Sequence, residues 1–308
     1  MENKMSVVKE EIKKAVKGKD EVVEKVLAAM LAGGHILLED IPGVGKTTLA
    51  MSIAKSMSLS YKRVQFTPDV LPSDIVGFSM YNQDTKSFEY QQGAVYCNLF
   101  LADEINRTSP KTQSALLEVM EEGNVTVDGV TRSLPSPFTV IATENPLGSS
   151  GTQMLPESQL DRFMVCLSMG YPKHDAAVDI LRDNAKKPLS LLQNVISTDE
   201  FEALRQKAND MYVHDSIYDY IVTLVEKTRT SQLFAMGASP RGSIALLRMA
   251  KAMAVLSGRD YVTPEDISSV FFDVLGHRVK LSTKARAEGK DVKDALEELF
   301  AEVKVPRT

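Results

Sequence analysis

The chain has 308 residues, 44% of them apolar and 25% charged, with a formal net charge of -5. That length exceeds one small core and points to about two domains, and the acidic balance argues against a protein built to coat nucleic acid. The two cysteines, Cys97 and Cys166, lie far apart in apolar runs with no CxxC or Cys/His spacing, so they read as buried thiols rather than as a disulfide or zinc framework.

Residues 1–21 alternate lysine, glutamate and short apolar residues, which predicts an amphipathic helix and not a signal peptide. No run approaches the roughly 18 apolar residues of a membrane span, and a reduced, cytoplasmic setting is the expectation. Residues 35–39, 61–66, 99–103, 138–143 and 164–169 are short apolar runs separated by helical patterns, as in a parallel α/β sheet. Asp128-Gly129 lies between β-formers at 125–131 and predicts a hairpin. A second hairpin is expected at 78–90, where two strand-like runs flank a polar turn.

Beyond Pro172 the period turns helical. Ser239-Pro240 and Thr263-Pro264 each place a capping residue before a proline suited to a first helical turn, and apolar-periodic runs follow at 244–256 and 267–275. Helical patterns at 198–211, 216–228 and 291–303 complete the set. The expected organisation is an α/β domain over residues 1–171 with two inserted hairpins, a linker over 172–190, and an all-helical domain over 191–308.

The chemistry begins after the first strand. Asp40-Ile41-Pro42-Gly43-Val44-Gly45-Lys46-Thr47 connects that strand to a helix opening Thr48-Leu49-Ala50. Glycines let backbone N–H groups turn inward around phosphate oxygens, and a helix N-terminus adds its positive dipole. Lys46 is suited to the β- and γ-phosphates and Thr47 to Mg²⁺. One position departs from the usual phosphate loop, which has glycine where this chain has Asp40. The strand at 99–103 ends in Asp103-Glu104, at the sheet edge where α/β proteins place ligands. Asp103 suits Mg²⁺ through its water shell, and Glu104 suits an attacking water. The histidines are dispersed without metal-ligand spacing, and His35 beside a strand reads as structural.

The phosphate loop, the Asp103-Glu104 strand end and the stretch Ile105-Asn106-Arg107 ahead of Pro110-Lys111-Thr112-Gln113 together resemble the AAA+ ATPases, specifically the MoxR family. The resemblance covers about residues 16–275. It implies a P-loop sheet domain followed by a helical lid, with ATP and Mg²⁺ as ligands, and nucleotide contacts from Gly43, Val44, Gly45, Lys46, Thr47 and Thr48. Asn145 matches sensor 1, a polar residue that helps position water; by itself Asn-Pro would be only a turn opener. Arg162, in Leu155-Pro156-Glu157-Ser158-Gln159-Leu160-Asp161-Arg162-Phe163, matches the arginine finger, which acts on a neighbouring subunit's nucleotide. Arg241, in Ser239-Pro240-Arg241-Gly242, resembles sensor 2, acting on its own or a neighbour's nucleotide. The region around Gly18 matches where the family packs adenine. In the family the two hairpins face the pore or axial surface of the ring.

The resemblance further implies a homo-oligomer, expected as a hexameric ring, and a separate partner carrying a von Willebrand factor A domain. The leading reading is an ATPase that remodels or activates a partner. A nucleic-acid motor of the helicase branch ranks lower, because the hairpin tips, Asn82-Gln83-Asp84-Thr85-Lys86 and Asp128-Gly129, are neutral or acidic on balance. A nucleotide-set assembly switch with little turnover is the third reading, against which Glu104, Asn145 and Arg162 stand together.

Overall fold

The computed structural model describes residues 4–145, 154–183 and 188–306. The predicted N-terminal helix is two helices, α1 (Lys4–Lys13) and α2 (Asp20–Leu31), parted by a turn in which Gly18 takes a φ of +66°. The sequence pattern did not single out α2, because it is apolar over most of its surface rather than along one stripe: Val23, Val26, Leu27, Ala28, Ala29, Met30 and Leu31 are all buried.

Next come β1 (Ile36–Glu39), α3 (Lys46–Ser56), β2 (Tyr61–Gln65), α4 (Pro72–Val76) and the hairpin β3 (Gly77–Asn82) and β4 (Ser87–Gln92). After β5 (Leu99–Asp103) and a 3-10 turn at Ile105–Arg107 runs α5 (Pro110–Glu122), followed by the hairpin β6 (Asn124–Val127) and β7 (Val130–Ser133), then β8 (Thr139–Glu144), α6 (Glu157–Leu160) and β9 (Val165–Leu167). The five apolar runs thus become one parallel sheet in the order β2-β5-β8-β1-β9. Alternation assigns its two faces. Ile36, Leu38, Leu99, Leu101 and Ile141 enter one core, and Leu37, Phe100, Ala102, Val140 and Ala142 the other. Each of the larger of these side chains, taken wholly out of water, contributes about 1.5–3 kcal/mol, and the alanines less.

Both predicted hairpins are present. Asp128 and Gly129 have φ of +53° and +74°, the left-handed pair that a two-residue turn needs to match strand twist. In the first hairpin Asn82 Oδ1 accepts the N–H of Asp84 at 2.9 Å and closes the polar turn.

The C-terminal half holds α7 (His174–Asp183), α8 (Pro188–Leu191), α9 (Thr198–Asn209), α10 (Asp215–Thr230), α11 (Pro240–Leu256), α12 (Pro264–Leu275), α13 (Thr283–Ala287) and α14 (Val292–Glu302). Ser239 Oγ accepts the Arg241 N–H at 3.1 Å, and Thr263 forms a capping box with Asp266, so both proline-primed helix starts form as expected. The expectation of an all-helical second half needs one correction. β10 (Phe234–Met236) and β11 (Lys280–Leu281) form a short antiparallel pair. Two or three residues are too few for an alternation to register, and the pairing is non-local. The first core also joins the two halves, with Leu38 and Leu49 in the same cluster as Leu246 and Phe271. Cys97 is buried, and burial pushes its thiol up to about 11; half-buried Cys166 is pushed up by burial and by Glu39. Among the described residues no helix is long and apolar enough to cross a membrane.

Candidate nucleotide site

Three strand ends meet at the mouth of the phosphate loop. Gly43 and Gly45 have φ of +85° and +101°, a region L side chains rarely adopt. Gly45 is the N-cap of α3, and no side chain caps it, so the first-turn N–H groups face the cleft. Asp40, the departure from the usual motif, has a structural job. Its carboxylate accepts the Gly170 N–H at 3.0 Å, the Ser168 hydroxyl at 3.2 Å and the Met169 N–H, while its own N–H donates to Glu144 O at 3.1 Å. The loop therefore starts from a point pinned to the ends of both β8 and β9. Lys46 Nζ donates back to Asp40 O at 2.8 Å. Burial lowers its pKa below the usual lysine value, against the opposing pull of Asp40, Asp103 and Glu104.

A cleft of about 400 Å³ gathers Lys46, Thr47, Thr48, Asp103, Glu104 and Asn145 over Gly43 and Gly45. A neighbouring compartment of about 790 Å³ shares Gly43, Gly45 and Thr48 and adds Val44, Val16, Lys17 and Lys19. Gly18 lies in the turn carrying those last residues but is not among the lining side; a Cβ there would stand 2.7 Å from Ala176 Cβ, so its part is to let the turn close.

The acids are held by register. Ala102 pairs with Ala142, so Asp103 falls beside Thr143. The Thr143 hydroxyl donates to Asp103 Oδ1 at 2.6 Å and accepts the Glu104 N–H at 2.8 Å, tying both acids to one side chain. Arg63 donates to Asp103 Oδ2 through Nε at 3.2 Å and Nη2 at 2.7 Å. Glu104 itself sits at φ +56°, a conformation that costs a non-glycine residue about 1–3 kcal/mol, and its Oε2 accepts from Arg107 at 2.8 Å. Asn106 donates to the Asn145 carbonyl at 3.4 Å, and Pro146 lies outside the described residues. Thr47 and Asp103 offer an oxygen-only donor set of the kind Mg²⁺ takes while keeping most of its waters. Among the described residues no three His, Cys, Asp or Glu gather into a self-sufficient metal cage, so such an ion would need phosphate oxygens too.

The arginines lie elsewhere. Arg162 and Arg241 line a separate cleft of about 350 Å³, together with Arg248, Glu121 and His35, and it shares no lining residue with the phosphate cleft. Asp161 builds it. Its Oδ2 accepts the Ser239 hydroxyl at 2.8 Å and its Oδ1 accepts Arg278 Nε at 2.9 Å. Arg278 is buried, stitched to the carbonyls of Met164 at 3.1 Å and of Phe163 and Val274, and burial pushes its pKa down to about 10. Ser239 also caps α11, so one carboxylate sets the segment of Arg162 against the first turn bearing Arg241. Beneath them, His35 Nε2 donates to Met120 O at 2.8 Å while Nδ1 accepts the Val140 N–H at 3.0 Å, a pair only the neutral ring can make.

Sequence reasoning placed the contiguous elements of this site. It missed Arg63, Thr143, Asp161 and Glu121, whose contacts depend on register or on distant segments. Asp161 lay inside the quoted finger motif and Arg63 and Thr143 inside strand runs, but none of these signals gave the contacts.

A parallel sheet in this order, a phosphate loop at the end of its fourth-placed strand, an acid pair on β5 and a helical C-terminal part define an AAA+ P-loop ATPase fold. The profile of the ATPase family associated with various cellular activities (AAA) matches residues 35–165, and that of the AAA lid domain matches 226–299. A protein named YeaC from Bacillus subtilis (strain 168), described as uncharacterized, is 49% identical over 298 residues, 96% of this chain and 93% of that one. Chaperone MoxR1 of Mycobacterium tuberculosis is 40% identical over 287 residues, 90% of this chain and 76% of its own length. The crystal structure of a candidate ATPase from Cytophaga hutchinsonii superposes with a TM-score of 0.91 at 39% identity, covering 99% of this chain and 96% of that one. The chain belongs to the MoxR family of AAA+ ATPases.

Proposed function

We propose that this chain hydrolyses ATP at the interfaces of a homo-oligomeric ring, expected to be hexameric, and couples that cycle to remodelling or activating a partner protein. The observation that carries the reading is the separation of the two clefts: Arg162 and Arg241 stand together but away from Lys46 and Glu104 of their own chain. A phosphoryl-transfer site commonly needs a guanidinium at the γ-phosphate, and here a neighbouring subunit would supply it.

In this mechanism the N–H groups from Gly43 to Thr48 cradle the phosphates, and Lys46 turns from the Asp40 carbonyl to the β- and γ-oxygens. Thr47 and Asp103 would hold Mg²⁺, which neutralises charge on the phosphate oxygens. Glu104 takes the proton of the attacking water once it leaves Arg107, and Asn145, just past the end of β8, fixes that water. Thr143 keeps Asp103 and Glu104 in step. Arg162 and Arg241 meet the γ-phosphate of the adjacent subunit, and Val16 to Lys19 flank the base. The hairpins support a protein client over a nucleic acid: Phe78, Met80, Tyr81 and Phe88 stand exposed on the first, an apolar rather than cationic surface. The likeness to a protein named as a chaperone points the same way. A separate von Willebrand factor A domain protein is the expected companion.

The test is steady-state ATP turnover across protein concentration, for the intact chain, Glu104→Gln and Arg162→Ala. Specific activity should rise with concentration and fall about 10²- to 10³-fold in both variants. Activity that is flat with concentration and unharmed in Arg162→Ala would place the whole site in one subunit and sink the ring mechanism.

A further inference from the structure

Glu121 stands at the end of α5, and each of its oxygens takes one arginine. Oε2 lies 3.1 Å from Arg162 Nη1, and Oε1 accepts from Arg241 Nη2. Arg162 Nη1 also donates to Leu117 O at 2.9 Å, one turn earlier on the same helix. The three side chains are 37%, 31% and 49% exposed, in the order Glu121, Arg162, Arg241. Ion pairs this wet add little to stability, typically under about 1 kcal/mol each, so stability is a poor account of the cluster.

What the cluster does is geometric. Two guanidiniums from separate segments repel, yet here they converge on one carboxylate. Among the described residues, the hydrogen bonds and ion pairs of Arg162 run through Nη1 and those of Arg241 through Nη2, and both residues line the cleft. Arg248 from α11 and the buried Arg278 line the same cleft, so its four arginines outnumber the two carboxylates, Glu121 and Asp161, and the cleft suits an anion from outside.

We infer that Glu121 is a positioning residue, whose carboxylate holds Arg162 and Arg241 as one two-pronged donor for the phosphate of a neighbouring subunit's nucleotide. This rests on the reading that Arg162 serves the neighbour. Gln at this position keeps one acceptor and turns an amide donor on the other arginine, so the array opens on one side. Asp keeps the charge with a shorter reach.

The experiment measures turnover of Glu121→Gln and Glu121→Asp, and of 1:1 mixtures with other defective subunits. Glu121→Gln should lower kcat about 10- to 100-fold with KM for ATP nearly unchanged, and Glu121→Asp should recover part of the loss. Mixed with Lys46→Ala, Glu121→Gln should regain turnover, because about a quarter of randomly formed interfaces join its intact phosphate loop to an intact arginine pair. Mixed with Arg162→Ala it should regain nothing, since both defects lie on the same face. Wild-type kcat in Glu121→Gln, or recovery with Arg162→Ala and none with Lys46→Ala, would overturn the assignment. The Arg162→Ala and Lys46→Ala mixture separates the two ideas. If it recovers and Glu121→Gln with Lys46→Ala does not, Glu121 alone is misassigned; if it does not recover, the trans reading fails and Glu121's role with it.

Discussion

The phosphate cleft and the arginine cleft are built in opposite ways. The first is carried by an unbroken loop and by strand ends that a parallel sheet brings to one edge. The second is assembled from the end of α5, the turn after α6 and the start of α11, and these three segments are joined through side chains: Asp161 to Ser239 and Arg278, and Glu121 to Arg162 and Arg241. The first uses side chains to tie a backbone frame, Asp40 to the residues after β9 and Thr143 to the two acids. A site built from side chains inherits the rotamer of each.

Removing Asp161 tests this contrast most severely. Asp161→Ala strips the buried Arg278 of its carboxylate and frees Ser239, and should cost about 3–5 kcal/mol. Urea unfolding should show that loss, while equilibrium binding of a fluorescent ATP analogue under folding conditions stays near wild type. A binding loss as large as the turnover loss would mean the clefts are not separable. His35 gives the next effect. Burial, with the charges of Arg205 and Arg248, lowers its pKa to about 4 from an ordinary 6.5. The unfolded chain therefore takes up the proton first as pH falls, and stability present above pH 6.5 is lost toward pH 4, by about 3 kcal/mol from this group. The chemical midpoint should drop over that window, and less steeply in His35→Gln; parallel curves would remove His35 from the account. The smallest change is on the other cleft. Asp40→Gly restores the usual phosphate-loop residue but deletes the acceptor for Ser168, Met169 and Gly170, at about 2 kcal/mol. It should weaken nucleotide binding and still donate its arginines, restoring turnover when mixed with Arg162→Ala.

The same contrast explains what the sequence made legible. Strand runs and the loop Asp40 to Thr47 are contiguous, so apolar length, glycine spacing and flanking elements sufficed to place Lys46, Asp103 and Glu104 in one cleft. Thr143 lay inside a run read as a strand, but only the register with β5 brings it against Asp103. Glu121 sits in an ordinary acidic pair on a helix, and nothing local says that two arginines from later segments converge on it. Asp40 looked like a blemish in a motif until the ends of β8 and β9 were beside it. The short β10 and β11 and the nearly all-buried α2 escaped for related reasons: one lacks the length for a period, the other lacks a polar face to reveal it.

The two clefts share no lining residue, so in the proposed assembly seating the arginine cleft of one subunit on the phosphate cleft of the next would be a head-to-tail contact. A pair of subunits joined by one such contact always leaves a phosphate face open at one end and an arginine face at the other. Growth stops only when the rotation between neighbours brings the last open face onto the first. In the proposed ring, the twist set where Asp161 meets Ser239 and Arg278 would also be an angle of assembly, and a change there that left chemistry intact would turn closed rings into open filaments.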